Sequence, residues 1–165
     1  MMKRAHLHLV LACMLALCGC SFRPLYGTPS GGPGVADELA SIAIPEADTR
    51  LGQIIRNDLL SGMRPAGTEA PDRYHLDMTI VRARSRIIDR KQPNVTRNAV
   101  RVSVSFALLD TKKEVYSGKT FSEVSYDVVR QPFADMQAEN NAVERVAHEL
   151  STDIKTRLAA YFATR

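Results

Sequence analysis

The residues best suited to covalent chemistry lie at the start of the chain. All three cysteines, Cys13, Cys18 and Cys20, fall within the first twenty of 165 residues. A thiolate can bind a metal ion, exchange with a disulfide or attack an electrophile such as an acyl donor. Because no cysteine follows residue 20, a disulfide framework cannot hold the rest of the chain together. The cysteine chemistry is therefore local to the N-terminus.

The flanking residues indicate which local reaction this is. Lys3 and Arg4 precede the apolar run Leu7–Leu17, which at roughly eleven residues is too short to span a bilayer. The motif Leu17-Cys18-Gly19-Cys20 then resembles the lipobox of bacterial lipoproteins, whose last cysteine receives a diacylglyceryl group before cleavage. The sequence predicts a lipoprotein signal peptide over residues 1–19 and lipidation of Cys20. An ordinary signal peptide with incidental cysteines and an N-terminal transmembrane anchor remain as alternatives.

Cleavage after residue 19 would change both the charge and the location of the protein. It removes Lys3 and Arg4 and leaves a formal charge of +2 over 146 residues, which gives no reason to expect a nucleic-acid partner. Two or three acyl chains on Cys20 attach a protein durably to a membrane without spanning it. Ser21, rather than an aspartate, follows the cysteine. In Gram-negative bacteria this predicts the outer membrane, with the protein on its periplasmic side.

A run of cations is the second group with binding chemistry. Asp89 is the single acid between residues 82 and 101, and the cations there are Arg82, Arg84, Arg86, Arg90, Lys91, Arg97 and Arg101. The planar arginine fork suits phosphate oxygens, so one interpretation is a site for a ligand with several phosphates. The other is a solvated edge whose charges discourage strand-to-strand aggregation.

Catalytic and metal-binding patterns are missing from the sequence after residue 20. His75 and His148 are far apart and have no cysteine to join them in a zinc site. No phosphate-binding glycine loop, nucleophile elbow or His-Glu-x-x-His motif is present. We therefore expect no enzyme activity and no cofactor. A tethered periplasmic hydrolase stays open as an alternative that a convergent pocket of titratable residues would revive.

The elements that position these groups follow from composition and periodicity. Residues 20–36 are rich in glycine, proline and serine and are predicted to form the lipidated N-terminus and a flexible tether. Residues 37–165 are predicted to form one domain. It begins with a short strand in Glu38–Ile44, followed by a helix capped by Asp48 or Thr49. The apolar face of that helix consists of Leu51, Ile54, Ile55, Leu59 and Met63.

Three alternating runs predict an antiparallel meander. They are Tyr74–Ile80, Val100–Leu108 and Val115–Val129. In the third run the apolar residues change from odd to even positions, which predicts a bulge near Ser122 or Glu123. A long amphipathic helix from Pro132 onward closes the domain. The predicted fold is α+β, a four-stranded sheet with two helices packed on one face.

The alternation raises a question about the arginines after Ile80. If the strand continues unbroken to Ile88, then Arg82, Arg84 and Arg86 lie on the apolar face, where unpaired cations are costly. Two explanations are open. The hairpin can extend beyond the cover of the helices, or a bulge near Val81 can turn the arginines outward.

The segment Cys20–Gly27, "CSFRPLYG", and the pattern of elements after it resemble the lipopolysaccharide-assembly lipoprotein family LptE of alphaproteobacteria. The resemblance implies a two-helix, four-stranded fold and a non-enzymatic role. It also implies a partner, the outer-membrane β-barrel LptD, which the family plugs and helps to assemble so that lipopolysaccharide reaches the cell surface. Lipopolysaccharide contact through basic residues would fall on Arg84, Arg86, Arg90, Lys91 and Arg130. The alternative is a tethered periplasmic lipid-binding lipoprotein without a barrel partner.

Overall fold

The computed structural model describes residues 34–64, 70–88, 96–128 and 130–165. The first three elements are helix α1, Val35–Ala40; strand β1, Ile42–Ala43; and helix α2, Arg50–Met63. Three strands of 15 residues each follow: β2, Tyr74–Ile88; β3, Thr96–Asp110; and β4, Lys113–Asp127. Helix α3, Pro132–Ala163, completes the order.

The four strands form a single sheet in the order β1-β2-β3-β4. β1 runs parallel to β2 and pairs with Tyr74 and His75, whereas β2, β3 and β4 form the predicted antiparallel meander. A strand of this length extends about 50 Å at 3.3 Å per residue. Helix α3, with 32 residues, extends about 48 Å at 1.5 Å per residue. One helix therefore matches the whole length of the sheet.

The meander gives the molecule two distinct ends. We call one the aromatic end, where β2 starts at Tyr74, β4 starts at Lys113 and α3 finishes beyond Phe162. We call the other the basic end, where β2 and β4 finish and where β3 and α3 start. The cross-strand row Arg86, Asn98 and Tyr126 lies at the basic end.

The core lies between the sheet and the two long helices. Even-numbered residues of β3 are buried throughout the strand from Val100 to Leu108. They join one cluster with the apolar faces of α2 and α3, which include Leu51, Ile55, Leu59, Met63, Val146, Leu150, Ile154 and Leu158. The predicted α+β fold is confirmed, and so is the placement of two long helices on the sheet. Thr49 caps α2 as predicted, since its hydroxyl accepts a hydrogen bond from Gly52 N at 3.1 Å.

The structure corrects the first predicted strand. Residues Glu38–Ala40 are helical, and the strand is reduced to Ile42–Ala43. Asp37 Oδ2 accepts a hydrogen bond from Gly34 N at 3.0 Å, which satisfies a donor at the start of the first turn. Val35 and Leu39 are spaced one turn apart and are both buried. The capped first turn and the buried apolar pair one turn apart therefore favour a helix here, although the short apolar run predicts a strand.

The predicted bulge near Ser122 or Glu123 is also wrong. The β3–β4 register is continuous from Arg97 opposite Asp127 to Leu108 opposite Tyr116, and the irregularity falls between Leu108 and Leu109. The prediction assumed that Phe121 enters the core. Instead Phe121 is 59% exposed on the uncovered face of the sheet, beneath the guanidinium of Arg101 at 4.1 Å. The change of apolar parity therefore reflects a surface aromatic, Phe121, and the register irregularity beside Val115, and the strand is continuous at Ser122 and Glu123.

The strand that carries the arginines is unbroken. Pairing of β2 with β3 runs without a shift from Tyr74 to Ile88, so the suggested bulge near Val81 is wrong. Arg82 and Arg84 therefore stay on the helix-facing side, opposite Val102 and Val100. The start of α2 lies beside Ile80, because a Cβ placed on Gly52 would be 3.6 Å from Ile80 Cδ1. The hairpin continues past this point of α2, but α3 still reaches its arginines.

Candidate functional site

Three of the five predicted lipopolysaccharide-binding residues lie at the basic end. Arg84 and Arg86 are on β2, and Arg130 lies just before α3. Arg90 and Lys91 fall outside the described residues, as does the predicted lipidation site Cys20. The meander brings the three described arginines to one end because β2 and β4 both finish there.

Arg82 and Arg84 share one carboxylate on α3. Arg84 Nη1 lies 3.1 Å from Glu139 Oε2, while Arg82 Nη2 contacts Glu139 Oε1. The side chain of Glu139 is 19% exposed, whereas those of Arg82 and Arg84 are 42% and 49% exposed. Arginine stays protonated at any physiological pH, so two guanidinium groups on one ionised carboxylate leave a net positive charge. The predicted cost of arginines on this face is thus reduced by partial exposure and by an acid from α3.

Two buried polar side chains hold the carboxylate in place. The hydroxyl of Tyr126 donates to Glu139 Oε2 at 3.1 Å and accepts from Asn98 Nδ2 at 3.4 Å. Tyr126 and Asn98 are both buried. Burial raises the pKa of Tyr126, and the hydrogen bond to Glu139 raises it further against the opposing effect of Asn98. The protonated hydroxyl therefore remains available as a donor to Glu139.

The other described arginines of the cluster are neutralised on the opposite, uncovered face of the sheet. Arg97 Nε lies 2.7 Å from Asp127 Oδ1, and Arg101 Nη1 lies 3.5 Å from Glu123 Oε2. These pairs join neighbouring strands and are solvent-exposed, so each contributes little to stability. They also remove two cations from the set that an external anion could bind.

Arg86 and Arg130 differ from these arginines. Within the described parts of the chain, neither has an ion-pair partner, and both are exposed. The same end carries exposed apolar side chains: Val128 is 37% exposed, Phe133 70% and Met136 51%. A surface that combines free cations with exposed apolar groups suits an amphiphile with anionic groups and hydrocarbon.

The aromatic end has a different organisation. Tyr74 is buried against Phe162, with ring centroids 5.2 Å apart, and its hydroxyl accepts a hydrogen bond from Arg165 Nη1 at 3.1 Å. Arg73 lies between two acids, 3.7 Å from Glu38 and 3.6 Å from Asp110. Burial is the main cause that raises the pKa of Tyr74. Each of these groups has a partner, so the arrangement serves packing and not ligand capture.

The histidines do not form a reactive site with their neighbours. His75 is exposed on β2, and His148 Nδ1 lies 3.5 Å from Asp58 Oδ2 at the contact between α2 and α3. Among the described residues, no three His, Cys, Asp or Glu side chains converge as metal ligands would. None of the helices in the described ranges is both long enough and apolar enough to cross a membrane.

Sequence reasoning missed Glu139, Tyr126 and Asn98 as parts of this site. The even parity of β4 placed Tyr126 on the helix-facing side, but only the register shows that it lies opposite Asn98. Glu139 is one of several acids along α3, and its local sequence does not distinguish it from the others. Its contact with β2 depends on how the helix packs across the sheet.

Comparisons with known proteins agree with this architecture. The sequence model of the family described as LptE, lipopolysaccharide-assembly, matches residues 39–158. No curated protein matches the sequence. A solved structure of a proposed lipoprotein from Caulobacter crescentus is similar at 29% identity and a TM-score of 0.64, over 79% of this chain and 97% of that one.

Two further solved structures share the fold at lower identity. A minor lipoprotein from Acinetobacter baumannii is 16% identical, with a TM-score of 0.54 over 72% of this chain and 88% of its own. The rare lipoprotein B from Shewanella oneidensis is 17% identical, with a TM-score of 0.55 over 74% of this chain and 95% of its own.

Proposed function

The chain belongs to the LptE lipopolysaccharide-assembly family, and from this premise we propose that it is an outer-membrane lipoprotein that plugs the β-barrel LptD. In this role it helps the barrel to assemble and to deliver lipopolysaccharide to the cell surface. The observation that carries the proposal is the family match, which includes all four strands, α2 and most of α3. The similar structure from Caulobacter, matched over 97% of that chain, is described as a lipoprotein and supports the lipoprotein part of the proposal.

The filled interior favours a plug over a freestanding lipid carrier. A carrier needs an apolar cavity large enough for acyl chains. Here one continuous cluster of buried side chains occupies the space between the sheet and its helices. The binding surfaces of the described domain are therefore its faces and ends, which suits a protein that acts by contact with a partner.

Membrane attachment through Cys20 would tether the domain to the membrane by one end. Helix α1 lies at the aromatic end, where Ser41 O accepts hydrogen bonds from the backbone N–H groups of Arg73 and Tyr74. Residues 21–34 would link this end to the acylated cysteine. The basic end then lies about 50 Å away along the sheet. The point where the predicted tether joins the domain and the proposed lipopolysaccharide contact therefore lie at opposite ends of the sheet.

We assign the lipopolysaccharide contact to the basic end. Lipid A and its inner core carry several phosphates beside acyl chains, and this end offers Arg86 and Arg130 beside Phe133 and Met136. Arginine binds phosphate by two parallel hydrogen bonds, which sets orientation as well as affinity. Arg84 contributes a third cation to this contact, although its charge is partly compensated by Glu139. Arg90 and Lys91 are expected to extend the same site.

We assign the protein no catalytic step. It belongs to a family whose members assist assembly, and its polar clusters pair acids with bases on the surface. The hydroxyl of Ser122 donates to Glu149, and among the described residues neither of these side chains forms a hydrogen bond with a histidine that could act as a general base.

An affinity purification from detergent-solubilised outer membranes tests the proposal. We expect the full-length lipoprotein to recover a large β-barrel in equimolar amount, and mass spectrometry of its N-terminal peptide to show an acylated Cys20. Recovery of the protein alone after gentle solubilisation would overturn the barrel partnership. An unmodified peptide that begins before Cys20 would overturn the anchor without affecting the partnership.

A further inference from the structure

We propose that Glu139 is an internal counter-anion that occupies Arg82 and Arg84 in the free protein and yields Arg84 to a phosphate group of the bound lipid. The inference rests on the proposed lipopolysaccharide contact. It adds a mechanism that limits the affinity of that contact for the lipid. It assigns Glu139 a role as a regulatory residue of the basic end.

The hydrogen bonds of Glu139 show which arginine can leave. Arg82 contacts Oε1, while both Arg84 and the hydroxyl of Tyr126 contact Oε2. If Arg84 departs, Oε1 keeps Arg82 and Oε2 keeps Tyr126. Neither carboxylate oxygen is left without a donor, so the cost of an unsatisfied, partly buried acceptor is avoided. Departure of Arg82 would instead remove the arginine that contacts Oε1.

The support behind the carboxylate keeps it in place during this exchange. Tyr126 is buried and is itself bonded to Asn98, which is 4% exposed. Arg84 is about half exposed and has a long, flexible side chain. The acid is therefore the fixed partner, and the guanidinium is the one that can turn toward solvent.

Arg84 is also well placed for an external phosphate. It lies two residues from Arg86 on the same side of an unbroken strand, a separation of about 7 Å. Released from Glu139, it would form a pair of cations with Arg86 at the exposed end. Because Arg84 exchanges one anion for another, the net gain from binding is small. Lipid held this way can leave again, as a transport step requires.

A charge-removing substitution tests the inference. Glu139→Gln keeps an oxygen that can accept from Tyr126 but loses the negative charge that competes with a phosphate for Arg84. The full-length lipoprotein in detergent would be titrated at low salt with lipid A that carries both phosphates, and with dephosphorylated lipid A. We expect Glu139→Gln to bind the phosphorylated lipid about three- to tenfold more tightly, as expected for removing one negative charge roughly 6–7 Å from the ligand.

Two controls separate this effect from a general change of charge. Glu144→Gln makes the same change at an exposed position of α3 and should leave the affinity unchanged. Arg84→Ala added to Glu139→Gln should abolish the gain. Equal tightening by Glu144→Gln, or weaker binding by Glu139→Gln, would overturn the counter-anion role.

The same titration distinguishes failure of the inference from failure of the proposed function. If the parent prefers phosphorylated lipid A and Glu139→Gln changes nothing, the counter-anion role alone is wrong. If the parent shows no preference for the phosphorylated lipid, the lipid contact at the basic end is wrong and the role of Glu139 falls with it. The barrel partnership is judged separately by co-purification of the Glu139→Gln variant.

Discussion

The two ends of the sheet arrange the same residue types differently. At the aromatic end, Tyr74 packs against Phe162 and Arg73 lies between Glu38 and Asp110. At the basic end, two arginines share one acid, and Phe133 is exposed. The rings and charges named at the aromatic end have partners within the fold, whereas at the basic end two arginines share one acid and exposed apolar side chains remain, which is why the proposed lipid contact is placed there. A substitution at one end should therefore leave the property of the other end intact.

The largest expected effect is a difference in stability loss when one aromatic side chain is truncated at each end. Tyr74→Ala removes a side chain that is 1% exposed and should lower the free energy of unfolding by about 3–5 kcal/mol. Phe133→Ala truncates an exposed ring and should cost less than about 0.5 kcal/mol. Urea denaturation followed by circular dichroism measures both. Similar losses for the two variants would contradict the division between the ends.

Removing cations at the basic end should affect binding and leave folding intact. An exposed charged contact contributes up to about 1 kcal/mol, so Arg86→Ala combined with Arg130→Ala should weaken lipopolysaccharide binding about five- to twentyfold at low salt. The loss should shrink as salt is added, because salt screens exposed charges. Arg50→Ala combined with Arg145→Ala removes the same charge from exposed positions on the helices and serves as the control. Equal losses in the two double variants would reduce the site to net charge alone.

A smaller change tests whether the basic end has any rigid support of its own. Tyr126→Phe deletes the hydroxyl between Asn98 and Glu139 and should lower the free energy of unfolding by about 1 kcal/mol. Tyr161→Phe is the matched change at the aromatic end, where the ring stacks on Tyr116 at 5.0 Å, and it should be nearly neutral. The measurement is the urea midpoint of each variant. A neutral Tyr126→Phe would mean that Glu139 is not held by this bond.

The smallest effect is expected in the β3–β4 turn at the aromatic end. Thr111 and Lys112 have φ values of 49° and 75°, a conformation that costs ordinary residues energy and that glycine adopts freely. Lys112→Gly should raise the free energy of unfolding by about 0.5 kcal/mol. This is the backbone strain that glycine relieves in the folded state, minus the conformational entropy that it adds to the unfolded chain. Lipopolysaccharide affinity should not change, since the turn lies at the other end of the sheet. Altered affinity would show that the ends are coupled.

The sequence predicted the fold well because periodicity reports which face of an element is buried. Strands with alternating apolar residues and helices with an apolar stripe were all placed correctly, including the Thr49 cap. Two errors have separate causes, an apolar residue that lies outside the core and a short apolar run that is helical. Phe121 is exposed beneath Arg101, and it was this residue that suggested a bulge. In α1, the hydrogen bond between Gly34 and Asp37 favours a helix that a short apolar run does not reveal.

The candidate site was predicted less completely than the fold. The position of Arg84 and Arg86 on one strand follows from sequence, and their approach to Arg130 follows from the meander. The acid that shares Arg84 does not follow from either. Glu139 meets β2 only because α3 crosses the end of the sheet at a particular depth and rotation, and these are set by packing throughout the core.

The strand order also determines how the chain can reach its native state. β2, β3 and β4 are neighbours both in sequence and in the sheet, so their pairing closes short loops and can form quickly. β1 is the exception, because α2 intervenes before its partner at Tyr74. We expect the parallel pair to join after the meander has formed and to be the first contact to open. A newly exported chain would thus present its basic end already ordered while the end that the predicted tether joins is still being completed.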